Sequence, residues 1–162
     1  MPDWKLLKAT WSLRAFAWSR IPLIAILRPT LVAADRERCV IRIPLTWLAK
    51  NHLRTMYFGA LCIGADLAGG LIAMNLIRAR RSKVAFLFKD FHADFHKRAE
   101  GTTVFTCADG AMLAALVDRA EASGEREEDT VRVVATCPEQ LGDEPVATFT
   151  LTISMKQRTA SA

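Results

Sequence analysis

Thr55–Ile77 reads TMYFGALCIGADLAGGLIAMNLI, 23 residues in which Asp66 carries the only charge, and it runs into Arg78-Ala79-Arg80-Arg81. A stretch of that length and hydropathy could cross a bilayer. Against this, an Asp at the midpoint costs about 2.5–3.5 kcal/mol on insertion, and Gly59, Gly64, Gly69 and Gly70 dilute the apolar content. Small residues instead let a helix lie close to a sheet, and the segments that follow have the character of sheet strands that need a helix to cover them. The stretch is therefore predicted as the buried central helix of a globular domain. The cations Arg78, Arg80, Arg81 and Lys83 at its end stabilise a helix C-terminus.

Working outward, residues 37–45 read as a strand with Cys39, Ile41 and Ile43 on one face, and a shorter strand at 31–34 completes a hairpin. Beyond Ser82, Val84–Phe95 is long and β-rich and Thr102–Ala108 follows Gly101. Gly110–Ser123 has the apolar face of a second helix (Met112, Leu113, Leu116, Val117) and a stop at Gly124. Thr130–Cys137 and Val146–Met155 alternate cleanly, with Val131, Val133 and Ala135 in the first and Phe149, Leu151, Ile153 and Met155 in the second, so an antiparallel hairpin is expected across Pro138–Pro145. Residues 4–20 carry a helical apolar stripe that Pro22 and Pro29 interrupt. The economical assembly is α+β: one antiparallel sheet wrapped around a long central helix, with an extra N-terminal helix.

With 162 residues, 51% hydrophobic and 24% charged, the chain suffices for a single domain and is not disordered. It has no repeat of 20–50 residues. The four cysteines (39, 62, 107, 137) form no C-x-x-C pair, which predicts structural thiols in a reduced, cytoplasmic protein. The apolar run Ile21–Leu27 is too short, and broken by Pro22, to read as a cleaved signal. Charge is uneven: residues 1–50 hold nine Lys/Arg against three acids, whereas 118–129 hold six acids against two Arg. A basic start suits an anionic ligand, a membrane surface or simply a solvated helix face. No phosphate-binding loop, dinucleotide fingerprint, nucleophile elbow or H-E-x-x-H motif is present, so no cofactor is expected. Nucleic acid is not an expected partner, because no module interleaves aromatic and basic residues.

The segment Asn51-His52-Leu53-Arg54-Thr55-Met56-Tyr57-Phe58-Gly59, followed by Asp66, resembles the signature of hotdog-fold thioesterases of the phenylacetyl-CoA type, and more closely an uncharacterised thioesterase-like branch of them. Their pattern runs Asn, Gly three residues on, His-Gly-Gly at the sixth to eighth positions, then an acid on the following helix. Asn51, Gly59 and Asp66 match it, while Arg54 stands at the first Gly, Tyr57 at the His and Phe58 at the first Gly of the pair. The resemblance implies a hotdog domain over 31–158, an N-terminal helical extension over 1–30 and a tail at 159–162. It implies hydrolysis of an acyl-CoA or similar acyl thioester by a homodimer or dimer of dimers, in which Asp66 of one subunit is general base or nucleophile. Gly59 of the other would polarise the carbonyl through its N–H, and Asn51 would position substrate or nucleophile. The substrate would meet Tyr57, Phe58, Arg54, Leu61 and Ile63, with Phe86 in the acyl tunnel and the Arg78–Lys83 cations at the coenzyme phosphates.

Elementary chemistry supports parts of this independently. A carboxylate in a partly desolvated cleft has its pKa raised and can act as a base or nucleophile. Gly59 and Asp66 lie about two helical turns apart, on the order of 10 Å, too far to share one thioester within a subunit. The alternatives are a structural role for Asp66, a turn-forming Asn51, and a non-catalytic acyl-ligand-binding or interaction protein on the same fold. His52 is expected on a loop. Asp90, His92, Asp94 and His96 share one face of a strand and cannot converge on one ion, so no metal site is expected. A third reading has the helix at 4–20, with Trp4, Trp11 and Trp18, touching a membrane peripherally.

Overall fold

The computed structural model describes residues 4–158; the expected tail at 159–162 lies outside them. The chain begins with α1 (Trp4–Arg20) and α2 (Pro22–Ile26), then β1 (Thr30–Ala34) and β2 (Cys39–Ile43). After a 3-10 turn at Trp47–Ala49 come α3 (Phe58–Ala79), β3 (Val84–Phe95), β4 (Thr103–Cys107), α4 (Gly110–Ser123), β5 (Glu127–Thr136), α5 (Pro138–Leu141) and β6 (Pro145–Gln157). Six strands form one sheet in the order β1-β2-β4-β5-β6-β3, with every pairing antiparallel.

α3 is long and apolar enough to cross a membrane. Instead it lies in the core, packed against β2, β4, β5 and β6, with α4 beside it. Its glycines permit that closeness: a Cβ on Gly69 would stand 3.2 Å from Val131, and one on Gly70 would touch the Phe88 ring at 3.5 Å. Inward positions on the strands are those the alternation predicts, with Ile41, Ile43, Phe105, Val131, Val133, Phe149, Leu151 and Ile153 all buried. α4 ends at Gly124, whose φ of +68° is the left-handed conformation that a helix stop favours.

Three local features differ from the sequence expectation. The turn between β5 and β6 contains the one-turn helix α5, started by Pro138. β3 is not a single alternating strand, since its register against β6 shifts between Phe88 and Asp90. This bulge lets Phe86 and Phe88 before it, and Phe91 and Phe95 after it, all face the inner side opposite Met155, Ile153, Leu151 and Ala147. Third, α2 makes a second short helix between the two prolines.

The thiols follow their burial. Burial pushes the Cys39 thiol up to about 12 and the Cys107 thiol to about 11, and Cys137 is also buried; only Cys62 is partly accessible. Since the thiolate is the reactive form, a thiol reagent added to the native protein is expected to modify at most Cys62, and all four after denaturation. Rapid native labelling of more than one thiol would contradict this packing.

Candidate active site

The motif loop is built by Asn51. The Leu53 and Thr55 N–H groups donate to its Oδ1 at 2.9 and 3.2 Å, and its Nδ2 donates to Thr55 Oγ1 at 2.9 Å. Backbone bonds from Asn51 N to Thr55 O and from Arg54 N to Asn51 O close the turn. Asn51 thus does the work of a turn former, and one amide N–H is left for anything else. Arg54 sits in this turn with φ +62°. That backbone region suits glycine, and Arg54 stands where the resembled motif has one.

The loop delivers the chain to Tyr57, the residue before α3, which offers no side-chain cap. Ala60 and Leu61 N–H donate to Tyr57 O, leaving the Phe58 and Gly59 N–H groups without an acceptor among the described residues. Two free donors at the positive end of a 22-residue helix are able to hydrogen-bond an incoming carbonyl oxygen. Beside them is an open cavity of about 420 Å³ lined by Asn51, His52, Leu53, Tyr57, Phe58 and Leu61, with Phe95 from β3. The Phe58 and Phe95 rings meet edge-on with centroids 6.4 Å apart. The Tyr57 ring lies over Gly59, 2.5 Å from where a Cβ would be, so any larger residue at 59 would displace it.

Asp66 stands two turns further along α3 and faces a different space. This cavity, about 280 Å³, is walled by Leu13, Phe16 and Ala17 of α1, Ile21 and Ile24 at α2, Gly70 and Met74 of α3, and Phe86–Phe88 of β3. Asp66 is its one ionisable lining group. No hydrogen bond or ion pair reaches the Asp66 carboxylate among the described residues, and burial raises its pKa above the usual 3.8. A solitary carboxylate in an apolar cleft is costly unless it is used.

One chain therefore brings together Asn51, Tyr57, Phe58, Leu61 and the Gly59 donor at the N-terminal end of α3, and Asp66 with Phe86 in a separate cavity two turns along it. Ile63 packs partly buried against the core and lines neither cavity. The N-terminal residues that wall the Asp66 cavity were not foreseen. The apolar stripe that gives the helix at 4–20 in the sequence (Leu6, Leu7, Trp11, Leu13, Ala15, Trp18) is not the side that walls the cavity: of it only Leu13 lines the space, and Leu7, Trp11, Ala15 and Trp18 are exposed. The cations are dispersed: Arg80 pairs with Asp118, and the Arg78 guanidinium lies 5.8 Å from the centre of the Phe16 ring. Arg78 and Lys83 line, with Arg158, a third cavity at the far end of α3. Of the β3 residues, His92 approaches Asp94 at 3.4 Å and His96 meets Thr148 Oγ1 at 2.9 Å. No group of three His, Cys, Asp or Glu is placed to hold a metal among the described residues.

Residues 9–155 match the model of a domain of unknown function, DUF4442. The chain belongs to that family. Solved structures of the same architecture include a Pseudomonas aeruginosa protein of unknown function described as a probable thioesterase (TM-score 0.77, 19% identity, 92% of this chain and 96% of that one). A thioesterase family protein from Silicibacter pomeroyi aligns with TM-score 0.64 and 16% identity over 92% and 99% of the two chains. A Chlorobaculum tepidum protein of unknown function aligns with TM-score 0.80 and 14% identity over 94% and 97%. No curated protein matches. This DUF4442 domain has the hotdog fold; at such identities the structural likeness speaks for the fold alone.

Proposed function

We propose that this DUF4442 protein is a cytoplasmic acyl thioester hydrolase acting on acyl-CoA as a homodimer or dimer of dimers. The observation that carries the reading is Asp66, an unpartnered carboxylate with a raised pKa in an apolar cavity of about 280 Å³. The free Gly59 N–H lies two turns away at the helix N-terminus, and a second copy reconciles the two. β3 is an edge strand of 12 residues, an unpaired ladder that invites another strand. Antiparallel pairing of two β3 strands about a two-fold axis brings the Phe86–Phe88 end of one, beside Asp66, to the Phe91–Phe95 end of the other, beside Phe58. The exposed Tyr57, Phe58, Leu87, Phe91 and Phe95 are then apolar surface for the partner to cover.

In that arrangement the thioester carbonyl accepts the Gly59 N–H of one subunit, and Asp66 of the other removes a proton from water. The water oxygen bonds to the carbonyl carbon, the oxyanion is held by the helix N-terminus, and the carbon–sulfur bond breaks as the proton passes to the leaving thiolate. Asn51 holds the loop that sets the donor. Tyr57, Phe58, Leu61 and Arg54 flank the carbonyl end, and Phe86 the acyl chain. The cavity of Arg78, Lys83 and Arg158 suits the coenzyme phosphates. A DTNB-type assay of thiol release over short, medium, long and aromatic acyl-CoAs tests the activity; no turnover on any of them would refute it.

The dimer is tested separately by light scattering. The wild type is expected at two or four times the chain mass, and Phe91→Glu, which buries a charge in the strand pairing, at the mass of one chain with activity lost. A fully active monomer would refute the shared site. One observation favours the alternative of a non-catalytic acyl-ligand-binding protein: the Tyr57 ring crowds the Gly59 backbone. Tight acyl-CoA binding without thiol release, equal in wild type and Asp66→Asn, would establish it.

A further inference from the structure

The outward side of α1 has no use in the reaction. Its inward side is fixed to the fold: Leu13 and Ala17 are buried, the Leu31 N–H donates to Thr10 Oγ1 at 3.1 Å, and the Arg14 guanidinium donates to Pro29 O and Thr30 Oγ1 at 2.9 and 3.0 Å. The opposite side carries Trp4, Trp11 and Trp18 at a spacing of seven residues, so that all three lie on one ridge roughly 21 Å long. They are 67%, 65% and 72% exposed. Leu7 is exposed beside them, as are Ile21, Leu23 and Ile26 where the chain enters and forms α2. None of the three indole N–H groups has an acceptor among the described residues. Residues 1–34 contain five Lys/Arg against one acid, Asp3, and Lys8 and Arg20 are exposed.

We propose that α1 and α2 dock this protein on an anionic lipid surface. Large amphipathic rings with an unsatisfied donor suit the headgroup layer, where the ring meets acyl chain and the N–H meets ester or phosphate oxygen. The net positive charge of this segment adds attraction to anionic lipid. A convex ridge of three indoles lacks the concavity that would grip a peptide, and its charge selects an anionic partner. The inference stands independently of thioester hydrolysis, although the same two helices wall the Asp66 cavity from inside.

The test uses the full chain and sucrose-loaded vesicles of phosphatidylcholine with or without an equal part of phosphatidylglycerol. Wild type is expected to sediment with the anionic vesicles, less so in high salt. The variant Trp4→Ser/Trp11→Ser/Trp18→Ser is expected to bind at least about tenfold more weakly. Circular dichroism checks that it folds, and Lys8→Glu provides a second variant that leaves the packed side alone, with weaker binding expected. In a Trp47→Phe background only the three ridge indoles emit, and their fluorescence should shift to the blue on adding anionic vesicles. Failure of wild type to sediment with anionic vesicles would overturn the proposal. So would unaltered binding by the triple variant, or a vesicle-free assembly of wild type that the triple variant dissolves, since the ridge would then be an interface between copies.

Discussion

Asp66→Asn is expected to lower kcat for acyl-CoA hydrolysis by about 10²–10⁴-fold, the usual contribution of a positioned base, and at neutral pH to raise the thermal midpoint. Both effects come from the same placement. The carboxylate lies in a cleft walled by Leu13, Phe16, Ile24, Phe86 and Phe88, with no cation or donor on it among the described residues. Burial penalises its charged form, so its pKa in the fold lies above 3.8. For an acid raised in this way the folded state binds the proton more tightly than the unfolded chain, and stability falls as pH rises from 3.8 through the folded pKa. Above that window wild type carries the full penalty and the Asn variant carries none. Below 3.8 both side chains are neutral and the two midpoints should converge. The acid limb of kcat/KM should likewise fall above the ordinary carboxylate range, because it reports the free enzyme's base. An Asn variant that melts lower than wild type at neutral pH would mark Asp66 as a structural acid paired across an interface. One that keeps full activity would remove it from the chemistry.

How far such a site is legible in a sequence depends on which interactions make it. The central helix was readable because 23 residues with one charge and four glycines have few other solutions, and β5 and β6 because their alternation is strict. Gly124 marked the end of α4 to the residue. The β3 bulge was readable in principle: Phe86 and Phe88 occupy even positions and Phe91 and Phe95 odd ones, and only an inserted residue puts all four on one face. The Asp66 cavity was not legible. Its walls come from α1, α2, α3 and β3, and no local pattern says that a helix at residues 4–20 will cover a carboxylate some fifty residues later. Asn51 shows the opposite limit. The motif marks it as part of the site, whereas its hydrogen bonds within residues 51–55 account for it as the residue that holds the loop.

The closeness of helix and sheet on which this fold depends can be tested at one contact. A Cβ built on Gly64 would stand 2.3–2.6 Å from three atoms of the Phe105 ring. Phe105 is fully buried on β4, between β2 and β5, so the ring has nowhere to withdraw. Gly64→Ala would by helix propensity gain about 1 kcal/mol, but overpacking a filled core costs about 1–3 kcal/mol and here meets three ring atoms at once. A net loss is expected, lowering the thermal midpoint by several degrees, since about 1 kcal/mol corresponds to roughly 2–4 °C at this size. Gly69→Ala is the control on the same helix: its Cβ would lie 3.2 Å from one Val131 methyl, a crowding that a small shift relieves, so its midpoint should stay close to that of wild type. Phe105→Leu alone opens a void and should also destabilise. Combined with Gly64→Ala, the smaller side chain accepts the new methyl, and the double variant should lose less than the two single losses together, the non-additivity expected of residues in contact. Strict additivity would mean that Gly64 and Phe105 do not touch, and that α3 stands further from the sheet than the glycines allow.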